Sequence, residues 1–320
     1  MKDGNVRWGV LSTAKIAEDR MIPAIKKTSG TVYAVASRDE KKGEAFAEAN
    51  GIERIYGSYE ELILSSEVDA IYCPLPTGMH KEWALKCAEV GKPLLCEKPL
   101  TVHRDEAVEV FEAFEKTDTL ISEAYMYLYH PLHKKVMELI AEGKIGELRS
   151  IRSNFNINIP RTNIRYDRRL GGGALLDLGC YCVGISRMIA GSEPEEIRGV
   201  GNYGKTDVDE TFAGCLKFPS GVLATFCCAL ESFFDCSYEV FGTEGRIRVA
   251  AGGMVVWPDE SFDIECWHGE EKEILTIPPE DHYRLLVEDF HQTMNEKGKE
   301  VVPHSESLNN LKVMDVLRGI

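Results

Sequence analysis

The 320-residue sequence lacks any uninterrupted apolar run approaching the roughly 20 residues that a membrane-spanning helix requires. No membrane partner is expected. Its amino terminus, MKDGNVRWGV, lacks the long apolar core of a secretory signal, which makes the cytoplasm the expected location. Positive charge is in short supply, with 37 Lys and Arg against 52 Asp and Glu and a formal net charge of −15. That balance repels nucleic acid and anionic lipid, so any bound phosphate must be held by local donors rather than by an overall field. Internal repeats and low-complexity linkers are also missing, which argues against a solenoid or a floppy hinge. Cysteine is plentiful at ten, but metal-binding spacing is not. Cys180 and Cys182 form only a CxC with no second cysteine or histidine pair nearby, so no metal is expected. Most cysteines lie in apolar runs such as AIYCPL and ATFCCAL, where a reduced thiol behaves as a small core residue.

What is present is 44% hydrophobic, enough for two cores. Short β-branched runs, VRWGVL, VYAVAS, DAIYCPL, PLLCEKP and LISEAY, alternate with the helical patterns AEDRMIPAIKKT, DEKKGEAFAEANG, YEELILSS, MHKEWALKCAEVG and RDEAVEVFEAFEK. Strands with little polar alternation, separated by amphipathic helices, predict a doubly wound parallel sheet covered on both faces. Gly51 and Gly91 stand where left-handed helix caps belong. After about residue 124 the pattern changes. Helices are expected over 131–142 and 174–190, then strands in LRSIRSNFNINI, EIRGVGNY, TFAGCLKF, VLATFCCAL and YEVFGTEGRIRVAA, with a turn at Pro219-Ser220-Gly221. Helical spacing returns over 282–297 and 306–318. The expected architecture is α/β. Residues 1–123 form a dinucleotide-binding Rossmann domain; 124–320 form an α+β domain with a large, mostly antiparallel open sheet, its C-terminal helix packing back on the first domain.

Several stretches carry candidate chemistry. The first strand runs into Ser12-Thr13-Ala14-Lys15-Ile16, laid out as a dinucleotide loop but with Ser and Ala where glycine is usual. Small residues still let backbone N–H groups and a helix start approach a pyrophosphate; the alternative is a plain strand-to-helix turn. Ser37-Arg38 ends the second strand, where a hydroxyl followed by a guanidinium suits a 2′-phosphate and favours NADP, with NAD the alternative. Asp39 could itself reach a ribose, and Lys41 and Lys42 could be a solvated helix start. Pro74-Leu75-Pro76 and His80 lie at the carboxyl end of the third strand, in the crevice where such folds bind ligands. Glu97-Lys98-Pro99 tips another buried strand, where an ion pair is costly unless used; a lysine reaching solvent is the plainer reading. Asn163, Arg165 and then GGGALLDLGCY follow in the second half. Asp177 and Tyr181 are four apart on that helix, so they share a face, though an ordinary buried helix would look the same. A tyrosine beside a lysine is a competent proton donor, since positive charge lowers a phenol's pKa from about 10.

Taken in order, Glu97-Lys98-Pro99, the loop from Asp69 through His80 and the glycine-led helix resemble the Gfo/Idh/MocA oxidoreductase family over essentially the whole chain. Many members carry His at the position of Tyr181. A Tyr there is similar to the branch of dihydrodiol dehydrogenase, xylose dehydrogenase and glucose-fructose oxidoreductase. The resemblance implies a Rossmann domain joined to a domain with an open sheet that often dimerises, and an active site between the domains. It implies Lys98 and Tyr181 as catalytic, with Asp177 positioning substrate or the cofactor ring. It implies a cofactor set of Ser12, Thr13, Ala14, Lys15, Ile16, Ser37, Arg38, Pro74, Leu75, Pro76, His80, Glu97 and Lys98. The implied substrate contacts are Lys98, Tyr125, Asn163, Arg165, Asp177 and Tyr181. Two departures bear on these roles: Leu128 stands where arginine is usual, and Ser12 and Ala14 replace common glycines.

The expected reaction is hydride transfer between a nicotinamide and a hydroxyl or carbonyl carbon of a sugar or cyclic polyol, foremost an aldose. Reduction of an anhydrofructose-like keto-sugar and oxidation of a trans-dihydrodiol are the alternatives. From other classes come a non-catalytic dinucleotide-binding regulator and an enzyme that recycles tightly held NAD. A homodimer, or a larger homo-oligomer, is expected through the C-terminal sheet.

Overall fold

The computed structural model describes residues 5–294, 296 and 299–320. By contact the chain divides into two compact units, Met1–Met126 with His282–Leu308, and Tyr127–Asp281 with Asn309–Ile320. The division is not a single cut in sequence.

The first unit is built on six parallel strands, β1 (Val6–Leu11), β2 (Gly30–Ala36), β3 (Arg54–Tyr56), β4 (Ala70–Cys73), β5 (Leu94–Cys96) and β6 (Ile121–Glu123). Their order is β3-β2-β1-β4-β5-β6. The residues of β4, β5 and β6 are buried throughout, as a parallel sheet covered on both faces requires. Its crossovers are α1 (Ile22–Lys26, continuing a π turn over Ala17–Met21), α2 (Glu40–Asn50), α3 (Tyr59–Leu64), α4 (Thr77–Glu89) and α5 (Arg104–Lys116). Asp39 caps α2 at its start and Gly51, at φ 63°, ends it in the left-handed region. Gly91 is also left-handed, at φ 65°. The edge strand β3 goes beyond the sequence expectation. It is three residues long and mostly exposed, so it leaves almost no apolar signal.

The second unit opens with α6 (Pro131–Ala141) and carries an eight-stranded sheet in the order β14-β13-β12-β11-β7-β10-β9-β8. The strands are β7 (Leu148–Asn158), β8 (Glu196–Tyr203), β9 (Asp209–Lys217), β10 (Leu223–Ala229), β11 (Glu231–Gly242), β12 (Gly245–Val249), β13 (Phe262–His268) and β14 (Glu271–Ile277). Only the β10–β7 pair is parallel. A π turn over Leu175–Gly179 runs into α7 (Cys180–Ala190), which packs on the inner face of the sheet. Gly221, at φ 85°, closes the expected turn between β9 and β10. The β13–β14 hairpin is a further addition. Its outer positions carry Glu265 and Lys272, which pair at 2.6 Å, and that charge masks the strand pattern.

Helix α8 (His282–Thr293) returns to the first unit, where the Trp8 indole N–H donates to His291 Nε2 at 2.9 Å. Of the helix expected over 282–297, residues 295 and 297 lie outside the described residues. The last helix is α9 (His304–Arg318). The expectation that no segment could span a membrane needs one correction. Arg168–Ala190 is long and apolar enough by composition, but 83% of its most apolar window is buried inside the protein, so its apolar surface serves the core.

Candidate active site

Strand order reverses between β1 and β4, so the carboxyl ends of β1, β2, β4 and β5 form the crevice edge where doubly wound sheets bind ligands. Ser12 leaves β1 in the left-handed region at φ 92°, with its N–H donating to Ala36 O at 3.0 Å. That conformation turns Thr13 and Ala14 across the crevice edge, and the helix starts at Lys15 and Ile16. The Lys15 ammonium points to solvent and pairs with Asp19 at 2.8 Å. At the end of β2, Ser37 is buried and Arg38 is exposed, its guanidinium lying 5.7 Å from the centroid of the Tyr59 ring. Tyr59 meets Trp83 edge-on at 4.9 Å. Asp39 accepts from Lys42 N at 3.1 Å, so its carboxylate is engaged in capping α2. The Ser37 hydroxyl donates to Asp39 O at 2.7 Å, shaping the turn, and the exposed Arg38 guanidinium is the group that fits the 2′-phosphate of NADP.

The loops after β4 and β5 are joined. His80, 1% exposed in the first turn of α4, places Nε2 at 2.6 Å from Leu75 O and Nδ1 at 3.0 Å from Pro99 O. Burial lowers its affinity for a proton, while the two carbonyls pull the other way. The ring therefore braces the cofactor loop instead of offering a free edge to a ligand. The Tyr72 hydroxyl donates to Glu97 Oε1 at 2.7 Å, and burial, reinforced by Glu97, holds the phenol protonated. From β6, Glu123 Oε1 accepts from Leu100 N at 2.9 Å. Glu97-Lys98-Pro99 is thus gripped from β4, α4 and β6. Tyr125 is 2% exposed, and its hydroxyl stabilises the charged form of Glu123. Cys73, His80 and Cys96 bring possible ligand atoms within 4.8 Å of one another, but a metal there would have to displace the carbonyl contacts of His80.

In the second unit the structure brings together two of the other expected residues, Arg165 and Asp177. Arg165 Nε donates to Asp177 Oδ2 at 2.5 Å, and Asn163 caps the short helix Ile164–Tyr166 by accepting from Arg165 N at 3.1 Å. Tyr181 is 4% exposed, its ring lying 5.6 Å from that of Tyr127 and 5.3 Å from that of Phe155. The helix carrying Asp177 and Tyr181 is not a plain α-helix, because it starts as a π turn, a device common at functional sites. Its start is fixed by Asp209, which accepts from Leu175 N at 2.6 Å. Sequence reasoning missed Glu123, Asp209 and Tyr59 as parts of these assemblies. The available signal was a carboxyl at the end of an apolar strand, present in both Ile121-Ser122-Glu123 and the start of β9.

The sheet order, the loop after β1 and the switch-point crevice define a dinucleotide-binding Rossmann fold. Residues 6–125 match the model described as an oxidoreductase family with an NAD-binding Rossmann fold, and 133–248 match the GFO/IDH/MocA C-terminal domain. The chain belongs to the Gfo/Idh/MocA oxidoreductase family. It is 34% identical to a D-xylose 1-dehydrogenase (NADP(+)) of Haloferax volcanii over 318 residues, covering 97% of this chain and 95% of that one. It is 34% identical to the trans-1,2-dihydrobenzene-1,2-diol dehydrogenase of Mus musculus, covering 86% and 80%. Among solved structures, a 3-ketoreductase from Actinomadura kijaniata in complex with NADP and TDP-benzene matches with a TM-score of 0.94 and 30% identity, covering 98% and 97%.

Proposed function

We propose that the protein is an NADP-dependent enzyme that moves a hydride between nicotinamide C4 and a hydroxyl or carbonyl carbon of a sugar or cyclic polyol, with aldose oxidation at C1 the favoured reaction. The observation that carries this reading is Lys98, held on a loop braced from three sides at the ligand edge of a Rossmann sheet. Ser12, Thr13, Ala14, Lys15 and Ile16 would hold the dinucleotide by backbone groups and the helix start, with Pro74, Leu75, Pro76 and Glu97 along the nicotinamide half. Ser37 and Arg38 would take the 2′-phosphate, leaving NAD the weaker ligand. The dinucleotide, when bound, accepts or supplies the hydride.

In this reading the Tyr181 phenol exchanges the substrate hydroxyl proton. Lys98 lowers its proton affinity, and Asp177, with Arg165, Asn163 and Tyr125, positions the sugar. A phenol titrates at about 10 when isolated, so a nearby ammonium is needed to bring it into working range. Orientation of substrate against cofactor is worth up to about 7–11 kcal/mol in well-oriented reactions. The relatives support the assignment: one is an NADP-linked xylose dehydrogenase, and the A. kijaniata reductase has been solved with NADP as Tyr-to-Phe and Lys-to-Ala variants, the same residue types. Keto-sugar reduction is the second reading, favoured by that reductase's fold match and by 36% identity over 298 residues to a dTDP-keto-sugar 3-reductase of Saccharopolyspora spinosa. Oxidation of trans-dihydrodiols is the third.

The proposal extends to location and assembly. A cytoplasmic setting suits ten free thiols, eight of them buried. A homodimer or larger homo-oligomer through the outer face of the second sheet would cover Val200, 72% exposed, and Leu223, 45% exposed.

The test is reduced-nicotinamide absorbance with NADP and NAD in parallel against aldoses, polyols, dihydrodiols and keto-sugars. Lys98→Ala should lose turnover by orders of magnitude while binding of dinucleotide, followed by fluorescence, survives. Tyr181→Phe should lose about 10²–10⁴-fold in kcat, the scale of general acid–base catalysis. Near-normal turnover in either variant removes the assignment.

A further inference from the structure

We propose that Glu123 is a positioning residue for Lys98, its buried carboxylate both bracing the lysine's loop and supplying the counter-charge that fixes the ammonium. Glu123 ends β6 directly beside Cys96, the last residue of β5, and is 1% exposed. Its Oε1 accepts from Leu100 N at 2.9 Å, two residues beyond Lys98. The other two grips on the loop come from groups that stay neutral, the protonated Tyr72 phenol and the buried His80 ring. Glu123 is therefore the grip whose charge can change. A carboxyl at this depth is costly to ionise without a compensating cation.

Its surroundings define the titration. Burial raises the carboxyl's pKa, and Ser307, Leu100 N, the Tyr125 hydroxyl and the Lys98 charge lower it, leaving it at about 7. Cys96 faces it from β5, with Glu97 on the other side of that thiol, and beyond them Tyr72 of β4 stays protonated beside Tyr283 of α8. Above that pH the carboxylate braces the loop through Leu100 N and attracts the Lys98 ammonium. Below it the charge, and that attraction, are lost. Turnover should therefore carry an acid limb near pH 7 that belongs to Glu123 and not to substrate or Tyr181.

This inference rests on the reading of Lys98 given above, and the experiment separates the two. Glu123→Gln keeps an acceptor for Leu100 N but no charge. It should erase the acid limb and lower kcat about 10- to 100-fold, the cost of a misplaced catalytic group, with KM for NADP little changed. Ser307→Ala removes a group that favours the carboxylate, so it should move the limb to higher pH. In the unliganded protein, infrared titration should show a protonated carboxyl band growing as pH falls through neutrality, absent from Glu123→Gln. A Glu123→Gln profile that superimposes on the wild type overturns the proposal. If that variant does not fold, an unmoved limb in Ser307→Ala, or no carboxyl titrating near neutrality, overturns it instead. Normal turnover in Lys98→Ala would overturn the functional reading itself. Loss in Lys98→Ala beside an unchanged Glu123→Gln profile would overturn only the role of Glu123.

Discussion

Asp209 accepts a hydrogen bond from Leu175 N at 2.6 Å, so a carboxylate on β9 holds the start of the helix that carries Asp177 and Tyr181. The same carboxyl is 7% exposed, and burial raises its pKa to about 6, against the opposing pull of the Leu175 and Ala174 N–H groups. In the unfolded chain it titrates at about 3.9. Between those values the folded protein keeps a proton that the unfolded chain has released, so stability falls as pH rises from about 4 to 6 and is level above that. The change is about 3 kcal/mol at most. Asp209→Asn keeps an acceptor for Leu175 N and should remove this component. Thermal unfolding at pH 4.5 and pH 7 checks it, since a variant with the same pH slope as the wild type would exclude Asp209 as the source.

Gly173 stands one residue before that helix at φ 126°, and a Cβ there would drive into Asp209 Oδ1. Gly173→Ala therefore adds backbone strain of about 1–3 kcal/mol and displaces a cap. The expected result is a lower unfolding midpoint, with kcat falling more than KM for dinucleotide, because the displaced helix carries Tyr181. Equal stability in chemical denaturation would show that the turn relaxes around the methyl group.

The Rossmann half was legible because buried strands and amphipathic helices alternate with different periods, and because Glu97-Lys98-Pro99 puts charge where a buried strand should be apolar. The second sheet was legible only in part. Strands such as LATFCCA alternate cleanly, whereas EKEILTI carries charge on an outer face that pairs only across strands, as Glu265 does with Lys272. The candidate site was legible as residue types, not as supports. Arg38 is visible in sequence, but its seat over Tyr59 depends on α3 returning beside β2, a long-range contact with no local signature. Asp209 is likewise an ordinary strand residue until the fold brings it to Leu175.

The 2′-phosphate role proposed for Arg38 has a kinetic consequence. Arg38→Ala should raise KM for NADP about 10- to 100-fold, the value of a charge-assisted hydrogen bond to phosphate, while leaving KM for NAD nearly unchanged. Tyr59→Leu removes the surface on which the guanidinium rests and should shift the ratio in the same direction by less. Steady-state kinetics with both dinucleotides measure it. An NADP preference that survives Arg38→Ala would place 2′-phosphate recognition elsewhere.

The outer face of the second sheet is the remaining surface with a definite expectation. On it Val200 lies opposite Ala213, and Ala213 lies opposite Cys227, while Leu223 sits in the same strand as Cys227. This small apolar patch is flanked on the same strands by Arg198 and by the Lys217–Glu196 ion pair. Toward β12–β14 the face becomes a lattice of Arg248, Glu239, Glu265 and Lys272. A face divided in this way suits a two-fold contact, in which the apolar patch is covered and the charged part finds complementary charge on the second copy. A stable dimer needs about 1,200–2,000 Å² of buried surface. Val200→Lys combined with Leu223→Lys should convert a sedimenting dimer into monomer without lowering the unfolding temperature of the isolated chain. If the doubly substituted protein still sediments as a dimer, the contact lies on another face and the exposed apolar residues of β8 and β10 serve some other purpose.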